Sequence, residues 1–302
     1  MERERWAVIS AAVNDVARTY ASCRTSRRFT HCTALVVRVY EWASLHHRPV
    51  SWACRAEAWS DRTRPRRLPH QSTMSRRLRS RSFIQFHEAL LRRLACGAPG
   101  AAAELKVIDA KALPISNNTR DPDCPKPGRC AGGFARGYKF YCIWGGGFAP
   151  DAWELRLIHE SEVTVAREAL LPRLRAPKQG RCLLLGDHLY DSNACYDLSE
   201  ERGHRLIAPR RFEKARPKAR LGHHRHSPLR IWSLRAQRRS PRRRQRLERL
   251  RGRIERRFAM LTSLLINLPP WVRRLHRVRA WVTSKLIINA ARLRCATRPL
   301  HA

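Results

Sequence analysis

The segment Cys182-Leu183-Leu184-Leu185-Gly186-Asp187 joins a short apolar run directly to a glycine and a carboxylate. An apolar run of this length, bounded by turn-forming residues, predicts a buried β-strand. A second run, from Leu105 to Ile108, ends in the same way on Asp109. A carboxylate that follows a buried strand points out of the edge of an open α/β sheet, where ligands bind. The two runs therefore predict an α/β fold that carries Asp109 and Asp187 at the ends of strands.

The segments around these runs predict a mixed sheet flanked by helices. Gly137 to Trp144 and Phe148 to Ile158 are predicted strands joined at Gly145-Gly146-Gly147. This glycine triplet predicts a hairpin, since it lacks the Gly-Lys-Ser/Thr of a phosphate-binding loop. The remaining predicted elements are helices at Val163 to Leu174 and Asn193 to Arg202, a strand at Arg205 to Ala208, and two long helices at Arg242 to Asn267 and Trp271 to Arg294.

The chain divides into two predicted regions at a linker, Cys96-Gly97-Ala98-Pro99-Gly100. Residues 1–96 form a helical region, and residues 97–302 form the α/β domain. A basic, turn-rich stretch at about residues 210–246 precedes the late helices and is predicted to be an insertion in that domain. This stretch either tracks a nucleic-acid backbone or is a solvated loop.

The charge balance points to a polyanionic partner, because 62 Lys and Arg face 24 Asp and Glu for a net charge of +38. Nucleic acid is the expected partner. Arginine exceeds lysine, which suits phosphate binding, although a GC-rich genome would produce the same bias. No segment has the length and apolarity of a membrane span or a signal peptide, and the ten cysteines form no C-x-x-C pair. We therefore expect a cytoplasmic protein with reduced thiols and no membrane partner.

A third carboxylate, Glu255, lies beside an apolar stripe of a predicted helix. Three carboxylates that meet at a sheet edge can hold two Mg²⁺ ions, the arrangement that in-line cleavage of a phosphodiester requires. The alternatives are a turn or capping role for the two aspartates and a surface ion pair for Glu255. Asp191 is expected to cap the following helix, and Glu162 to lie in the first turn of another.

Four segments in order carry a specific resemblance: 108–114, 135–139, 186–192 and 251–258. Together they resemble the DDE transposases of bacterial insertion sequences over about residues 104–295. The resemblance implies a ribonuclease H-like fold in which Asp109, Asp187 and Glu255 are catalytic and bind Mg²⁺ or Mn²⁺, with two ions expected. Arg251 and Glu255 match a Tyr-Arg-Glu-Lys signature, but Glu248 and Thr262 replace its Tyr and Lys. The exact subgroup and its usual contacts with DNA ends are therefore open.

The activity implied by the resemblance is phosphoryl transfer on DNA. Water cuts a DNA strand at the element end, and the freed 3′-hydroxyl then attacks target DNA. Terminal repeats and target DNA are the expected partners, beside the nucleoid. In this family paired ends call for at least a dimer. The alternatives are a non-catalytic nucleic-acid-binding protein, a nuclease that cuts without joining, and a decayed transposase copy.

Several basic residues are candidates for DNA contacts. Arg251 lies one helical turn before Glu255 and is expected to bind a phosphate, with an ion pair to Glu248 as the alternative. Arg136 and Lys139 flank Gly137-Tyr138 and are expected to bind the DNA backbone, with solvated side chains as the alternative.

The helical region is the candidate reader of terminal repeats. Ser51 to Trp59 and Ser72 to Arg81 are compatible with a helix-turn-helix whose second helix enters a major groove. Gln71, Thr73, Arg76 and Arg77 would then face bases or phosphates. The alternative is a plain helical bundle with a basic face, since the connection exceeds an ordinary turn.

Overall fold

The computed structural model describes most of the chain: residues 2–19, 31–96, 105–115, 120–130, 132–177, 180–211, 225–240, 242, 245–252, 255, 259, 261 and 268–297. The chain divides into two compact units. The helical unit comprises Met1–Ala98 and Pro269–Ala302, and the α/β unit comprises Pro99–Leu268.

The helical unit contains α1 (Glu2–Thr19), α2 (Thr33–Leu45), α3 (Val50–Ala53), α4 (Gln71–Arg77), α5 (Arg81–Ala95) and α10 (Leu275–Thr297). Buried residues run almost without interruption along α10 from Val278 to Ala291. Such a helix is covered on all sides, and here α1, α2 and α5 pack against it. The late helix therefore forms the centre of the helical unit, which differs from the predicted division into residues 1–96 and 97–302.

A buried polar network joins α10 to two other helices of this unit. Ser284 donates a hydrogen bond to Glu41 Oε1 at 2.7 Å, and His87 Nε2 lies 2.5 Å from the same oxygen. Buried polar groups of this kind specify one packing arrangement only when they are bonded to one another. The network therefore fixes the rotation of α10 relative to α2 and α5.

The α/β unit contains a five-stranded sheet in the order β5-β4-β1-β6-β7. Its strands are β1 (Leu105–Pro114), β4 (Gly137–Trp144), β5 (Ala152–Leu157), β6 (Cys182–Leu185) and β7 (His204–Ile207), and a small hairpin is formed by β2 (Gly128–Cys130) and β3 (Gly133–Ala135). β1 pairs antiparallel with β4 and parallel with β6. The predicted mixed α/β sheet is confirmed, and its order is compatible with a ribonuclease H-like fold.

Both faces of this sheet are covered by helices. α6 (Glu162–Val165), the helical turns that continue it to Arg173, and α7 (Asn193–Glu201) pack on the first face. The second face packs a helical segment, α9, that includes residues 245–252, Glu255 and Leu261. Val107, Leu185 and Ile207 contact Leu247 and Leu250 of α9. The central strands are therefore buried on both sides, which explains their continuous apolar sequence.

β1 is longer than predicted. The apolar pattern predicted a strand that ends on Asp109, but the strand continues to Pro114. The reason is that β4 pairs with β1 from Val107↔Trp144 to Pro114↔Gly137, well beyond the last pair with β6. Asp109 consequently lies in the middle of β1, just past the end of the parallel pairing.

The basic stretch at about residues 210–246 contains a packed helix, where a solvated loop was one of the predicted alternatives. Residues 212–224 lie outside the described part, but α8 (Pro228–Arg239) is a helix that begins after the capping residue Ser227. Ile231 and Leu234 of α8 are buried. Arg230 donates from Nε and Nη2 to the two oxygens of Asp191, each at 2.7 Å. Asp191 therefore holds α8 in place, while Ser192 rather than Asp191 caps α7.

Among the described residues, no helix is both long enough and apolar enough to cross a membrane.

Replacing Arg230 with Leu should destabilise the α/β unit by about 3 kcal/mol, since it leaves the fully buried Asp191 carboxylate without its cation. Urea unfolding followed by tryptophan fluorescence measures the change. Arg235→Leu, at an exposed position of the same helix, is the matched control and should cost less than about 0.5 kcal/mol. Equal effects of the two variants would show that the ion pair does not hold α8.

Candidate functional site

The pairing of β1 with β6 brings two aspartates to the same edge of the sheet. Val107 is level with Leu185, so continuation of that register places Asp109 level with Asp187. Gly186 allows the side chains of Ile108 and Tyr190 to pack closely there, since a Cβ on it would lie 3.1 Å from their atoms. The predicted convergence of Asp109 and Asp187 thus follows from the parallel pairing of β1 with β6, which ends just before both residues.

Backbone amides orient both carboxylates. Asp109 Oδ1 accepts a hydrogen bond from the amide of Ala110 at 2.8 Å. Asp187 Oδ1 accepts from the amide of Leu189 at 2.8 Å and caps the short 3₁₀ turn His188–Tyr190. Asp187 therefore has the capping role that was the predicted alternative. The same residue also lies level with Asp109.

Burial raises the pKa of Asp109 to about 6, and the neighbouring charge of Asp187 adds to the effect. The hydrogen bond from Ala110 and the positive charge of Arg251 act in the opposite direction. Within the described part of the chain, neither Asp109 nor Asp187 forms an ion pair. In a chain with a net charge of +38, such a pair of carboxylates is suited to bind a cation.

Glu255 does not join the two aspartates in this structure. Its Oε1 lies 2.8 Å from Arg251 Nε, and its side chain is 44% exposed. No three His, Cys, Asp or Glu side chains in the described ranges are arranged to hold a metal ion. Arg251 itself lines a cavity of about 40 Å³ beside Leu185, Gly186 and Ile207 at the ends of the strands. Arg251 therefore lies near the ends of these strands, and Glu255 is its ion-pair partner.

Lys139 on β4 and Arg136 just before it, both predicted to bind the DNA backbone, have different surroundings. Arg136 is exposed, and its carbonyl oxygen accepts a hydrogen bond from Ile115. Lys139 is only 13% exposed, and its Nζ lies 3.3 Å from Glu162 Oε1. Arg136 can therefore contact a ligand directly, whereas Lys139 first has to exchange its carboxylate partner.

The predicted helix-turn-helix residues also separate into two groups. Gln71 and Arg76 of α4 are exposed, and Thr73 is half-buried. Arg77 is buried, and it donates hydrogen bonds to the carbonyl of His31 and to Thr33 Oγ1, at the start of α2. Its position does not suit the predicted DNA contact, because the guanidinium is used to connect α4 to α2.

Two residues near the aspartates were not predicted as part of the site. Glu162 was expected only in the first turn of a helix, which is where it lies, but its charge also reaches Asp109. Tyr190 is buried, and burial followed by the negative charges of Glu162, Asp109 and Asp187 raises the pKa of its hydroxyl. Neither residue follows a strand, so no local pattern marks it as a neighbour of the aspartates.

A comparison with protein families finds one match: residues 156–290 match the model of the transposase DDE domain. The matched residues include Asp187, Arg251 and Glu255, and Asp109 lies upstream of them. The search of curated proteins and the search of solved structures find no match. The resemblance to DDE transposases is thereby confirmed.

Asp109→Asn should stabilise the metal-free protein at alkaline pH and have little effect near pH 4. The folded-state pKa of about 6 lies above the ordinary value of 3.8, so the folded protein retains a proton that the unfolded chain has lost. Stability consequently falls as the pH rises from about 4 to about 6, by on the order of 2 kcal/mol, and then remains at that lower level. Asparagine removes this dependence.

Thermal and urea unfolding in EDTA at several pH values measure the effect. Asp61→Asn, at a 95% exposed side chain, is the control and should leave the pH profile of the wild type unchanged. A destabilised Asp109→Asn protein at pH 8 would contradict the prediction.

Proposed function

We propose that this chain, which carries a transposase DDE domain, cuts DNA strands at the ends of an insertion sequence and joins them to target DNA. The observation that carries the proposal is the pair Asp109 and Asp187, which a ribonuclease H-like sheet order brings to one edge in a chain with this family match. Water attacks the phosphodiester at the element end and releases a 3′-hydroxyl. That hydroxyl attacks a target phosphodiester in line, and no bond forms between protein and DNA.

The cofactor in this proposal is Mg²⁺ or Mn²⁺, and two ions are expected. When bound, such ions polarise the phosphate and stabilise the attacking and leaving oxygens. The residues present fit a hard cation, because Asp109 and Asp187 offer carboxylate oxygens, and the pKa of Asp109 is raised first by burial and then by the charge of Asp187, both of which a bound cation would offset. Asp109 and Asp187 would hold the shared ion, and Glu255 would hold the second.

Arg251 has a part in bringing Glu255 to the site. The guanidinium that now binds Glu255 can bind a phosphate instead, because both ligands accept the same planar set of donors. DNA binding would therefore move Arg251 onto a phosphate and release Glu255 toward the aspartates. Arg136 and Lys139 would bind the DNA backbone near the same edge.

Recognition of the terminal repeats is assigned in this proposal to the helical unit. The exposed residues Gln71 and Arg76 on α4, together with the half-buried Thr73, are the candidate contacts. Since two element ends have to be cut and joined together, the active form would be at least a dimer. The protein would act on DNA beside the nucleoid of a bacterial cytoplasm.

The decisive experiment uses a duplex that carries the repeat flanking the protein's own gene, incubated with purified protein and Mg²⁺ or Mn²⁺. We expect metal-dependent nicking at the repeat end and joining of the freed end to a plasmid. Asp187→Asn and Asp109→Asn should reduce both products at least 1000-fold while leaving DNA affinity within about threefold, since these residues act on the reacting phosphate.

Tight binding without cleavage by the wild type would instead support a non-catalytic DNA-binding protein or a decayed copy. Cleavage without joining would support a nuclease. Loss of DNA binding in the aspartate variants would show that the carboxylates are structural.

The neighbouring arginines of α4 test the role of the helical unit. Arg76→Ala should weaken binding to the repeat about tenfold and lower the slope of log affinity against log salt by about 1, with little change in stability. Arg77→Ala should instead lower the unfolding free energy by about 2 kcal/mol, because it removes buried hydrogen bonds. Electrophoretic mobility shifts and urea unfolding separate the two effects, and unchanged binding by Arg76→Ala would exclude α4 from the interface.

A further inference from the structure

The small hairpin of β2 and β3 presents one aromatic side chain to solvent. Phe134 is 77% exposed, more than any other large apolar side chain among the described residues. It pairs across the hairpin with Arg129, which is exposed as well. Residues directly opposite each other in an antiparallel pair lie on the same face, so the ring and the guanidinium belong to one surface.

The hairpin packs on the sheet through its other face. A Cβ on Gly128 would lie 2.6 Å from the backbone nitrogen of His159 and 2.7 Å from the carbonyl oxygen of Ile158, so β2 is in close backbone contact with the chain after β5. Side chains alternate between the two faces of a strand. Arg129, the residue after Gly128, therefore points away from this contact, as does Phe134 opposite it.

Buried contacts at the base of the hairpin fix its position. Tyr138 donates a hydrogen bond from its hydroxyl to Asp121 Oδ2 at 2.8 Å, and Cys124 Sγ donates to the carbonyl of Gly137 at 3.3 Å. Asp121, Cys124 and Tyr138 are all buried, and the two contacts join the segment before β2 to the start of β4. A side chain on a fixed support loses little conformational entropy when a partner binds.

The hairpin lies beyond the end of β1 that follows Asp109. β1 continues from Asp109 to Pro114, which is about 17 Å at the rise of an extended strand. At that end Pro114 pairs with Gly137, and Ile115 donates a backbone hydrogen bond to the carbonyl of Arg136, directly after β3. A ligand that contacts both Asp109 and the hairpin extends over at least this distance, the length of about five base pairs of duplex DNA.

Exposed cations accompany this path. Lys111 is exposed and lies on the same face of β1 as Asp109, because the two are separated by one residue. Among the described residues from Leu105 to Gly137, the charged side chains that are exposed are all basic: Lys111, Arg120, Lys126, Arg129 and Arg136. The surface that leads from Asp109 to Phe134 therefore fits a polyanion.

We propose that duplex DNA next to the cleavage point runs along β1 to this hairpin, where Phe134 inserts at one base step while Arg129 and Lys111 bind neighbouring phosphates. The inference rests on the proposed function and adds a deformation of the DNA to it. An apolar side chain that enters a base step unstacks the bases and bends the duplex, and added contacts with the bent DNA offset the unstacking. Phe134 is thus a positioning residue, remote from the reacting phosphate.

The test uses full-length protein in EDTA and duplexes that carry the repeat flanking the protein's own gene, with 2-aminopurine at successive positions around the repeat end. The fluorescence of this base rises when it is unstacked. We expect a rise of about threefold or more at one step, roughly five base pairs or more from the repeat end. Phe134→Ala should abolish the rise and weaken DNA binding three- to tenfold, and Phe134→Trp should restore both.

Two further variants serve as controls, with circular dichroism used to show that each protein is folded. Ile84→Ala, at a 40% exposed apolar side chain of α5, should leave fluorescence and affinity unchanged. Arg129→Ala should lower the slope of log affinity against log salt by about 1 and leave the unstacked step at the same position.

The outcomes separate the inference from the function on which it rests. A rise that persists in Phe134→Ala, or no rise in a wild type that binds and cuts the repeat, would overturn the role of the hairpin and leave the proposed function intact. A smaller assembly of Phe134→Ala in sedimentation, with the wild-type fluorescence profile, would assign the ring to a contact between copies and overturn the inference.

Unstacking that depends on Phe134 in a protein that does not cut DNA would support the hairpin contact and overturn the cleavage activity. A wild type that neither binds nor cuts the repeat would overturn both.

Discussion

The pairing of β1 with two different neighbours is the constraint on which the α/β unit depends. On one side β1 forms three parallel pairs with β6, from Leu105↔Leu183 to Val107↔Leu185, and on the other it continues antiparallel to β4 as far as Pro114. The parallel pairing of β1 with β6 ends just before Gly186, whereas the antiparallel pairing of β1 with β4 continues. Asp109 lies just past the end of the parallel pairing. A shift of one residue in this register would turn Asp109 toward the other face of the sheet.

Charge compensation follows from the same geometry. The chain has far more cations than carboxylates. The buried carboxylates of Asp191 and Glu154 pair with Arg230 and Arg173, and the partly exposed Asp151 and Glu162 pair with Lys106 and Lys139. Such pairs hold elements together, because an uncompensated buried charge is costly. Among the described carboxylates, Asp109 and Asp187 lie side by side without an ion pair, and burial raises the pKa of Asp109. The contrast separates the Asp109–Asp187 pair from the carboxylates that stabilise the fold through ion pairs.

Much of the α/β unit could be predicted from local patterns. The apolar runs at β1 and β6, the glycine-linked hairpin of β4 and β5, and the helix at Asn193–Glu201 all lie where the sequence placed them, with ends that differ by a few residues. Asp109 and Asp187 were predicted for the same reason, since a carboxylate after a buried strand is a local signal. α8 was harder to predict, because Ile231 and Leu234 are few apolar residues among many arginines and their burial depends on α7 and β7.

The sequence by itself determined the mixed α/β fold class, the two aspartates beside the paired apolar runs and the resemblance to the transposase DDE domain, because each of these follows from residues close together in the chain. Only the tertiary structure decided which side chains share a space. α10 lies in the helical unit, since its residues from Val278 to Ala291 are buried almost without interruption and α1, α2 and α5 cover them. Arg77 is used to join α4 to α2, and Arg251 binds Glu255. Tyr190 is buried in one cluster with Ile108 and Val165 because α6 and the turn after β6 pack on the same face of the sheet, a relation between distant residues that no local pattern contains.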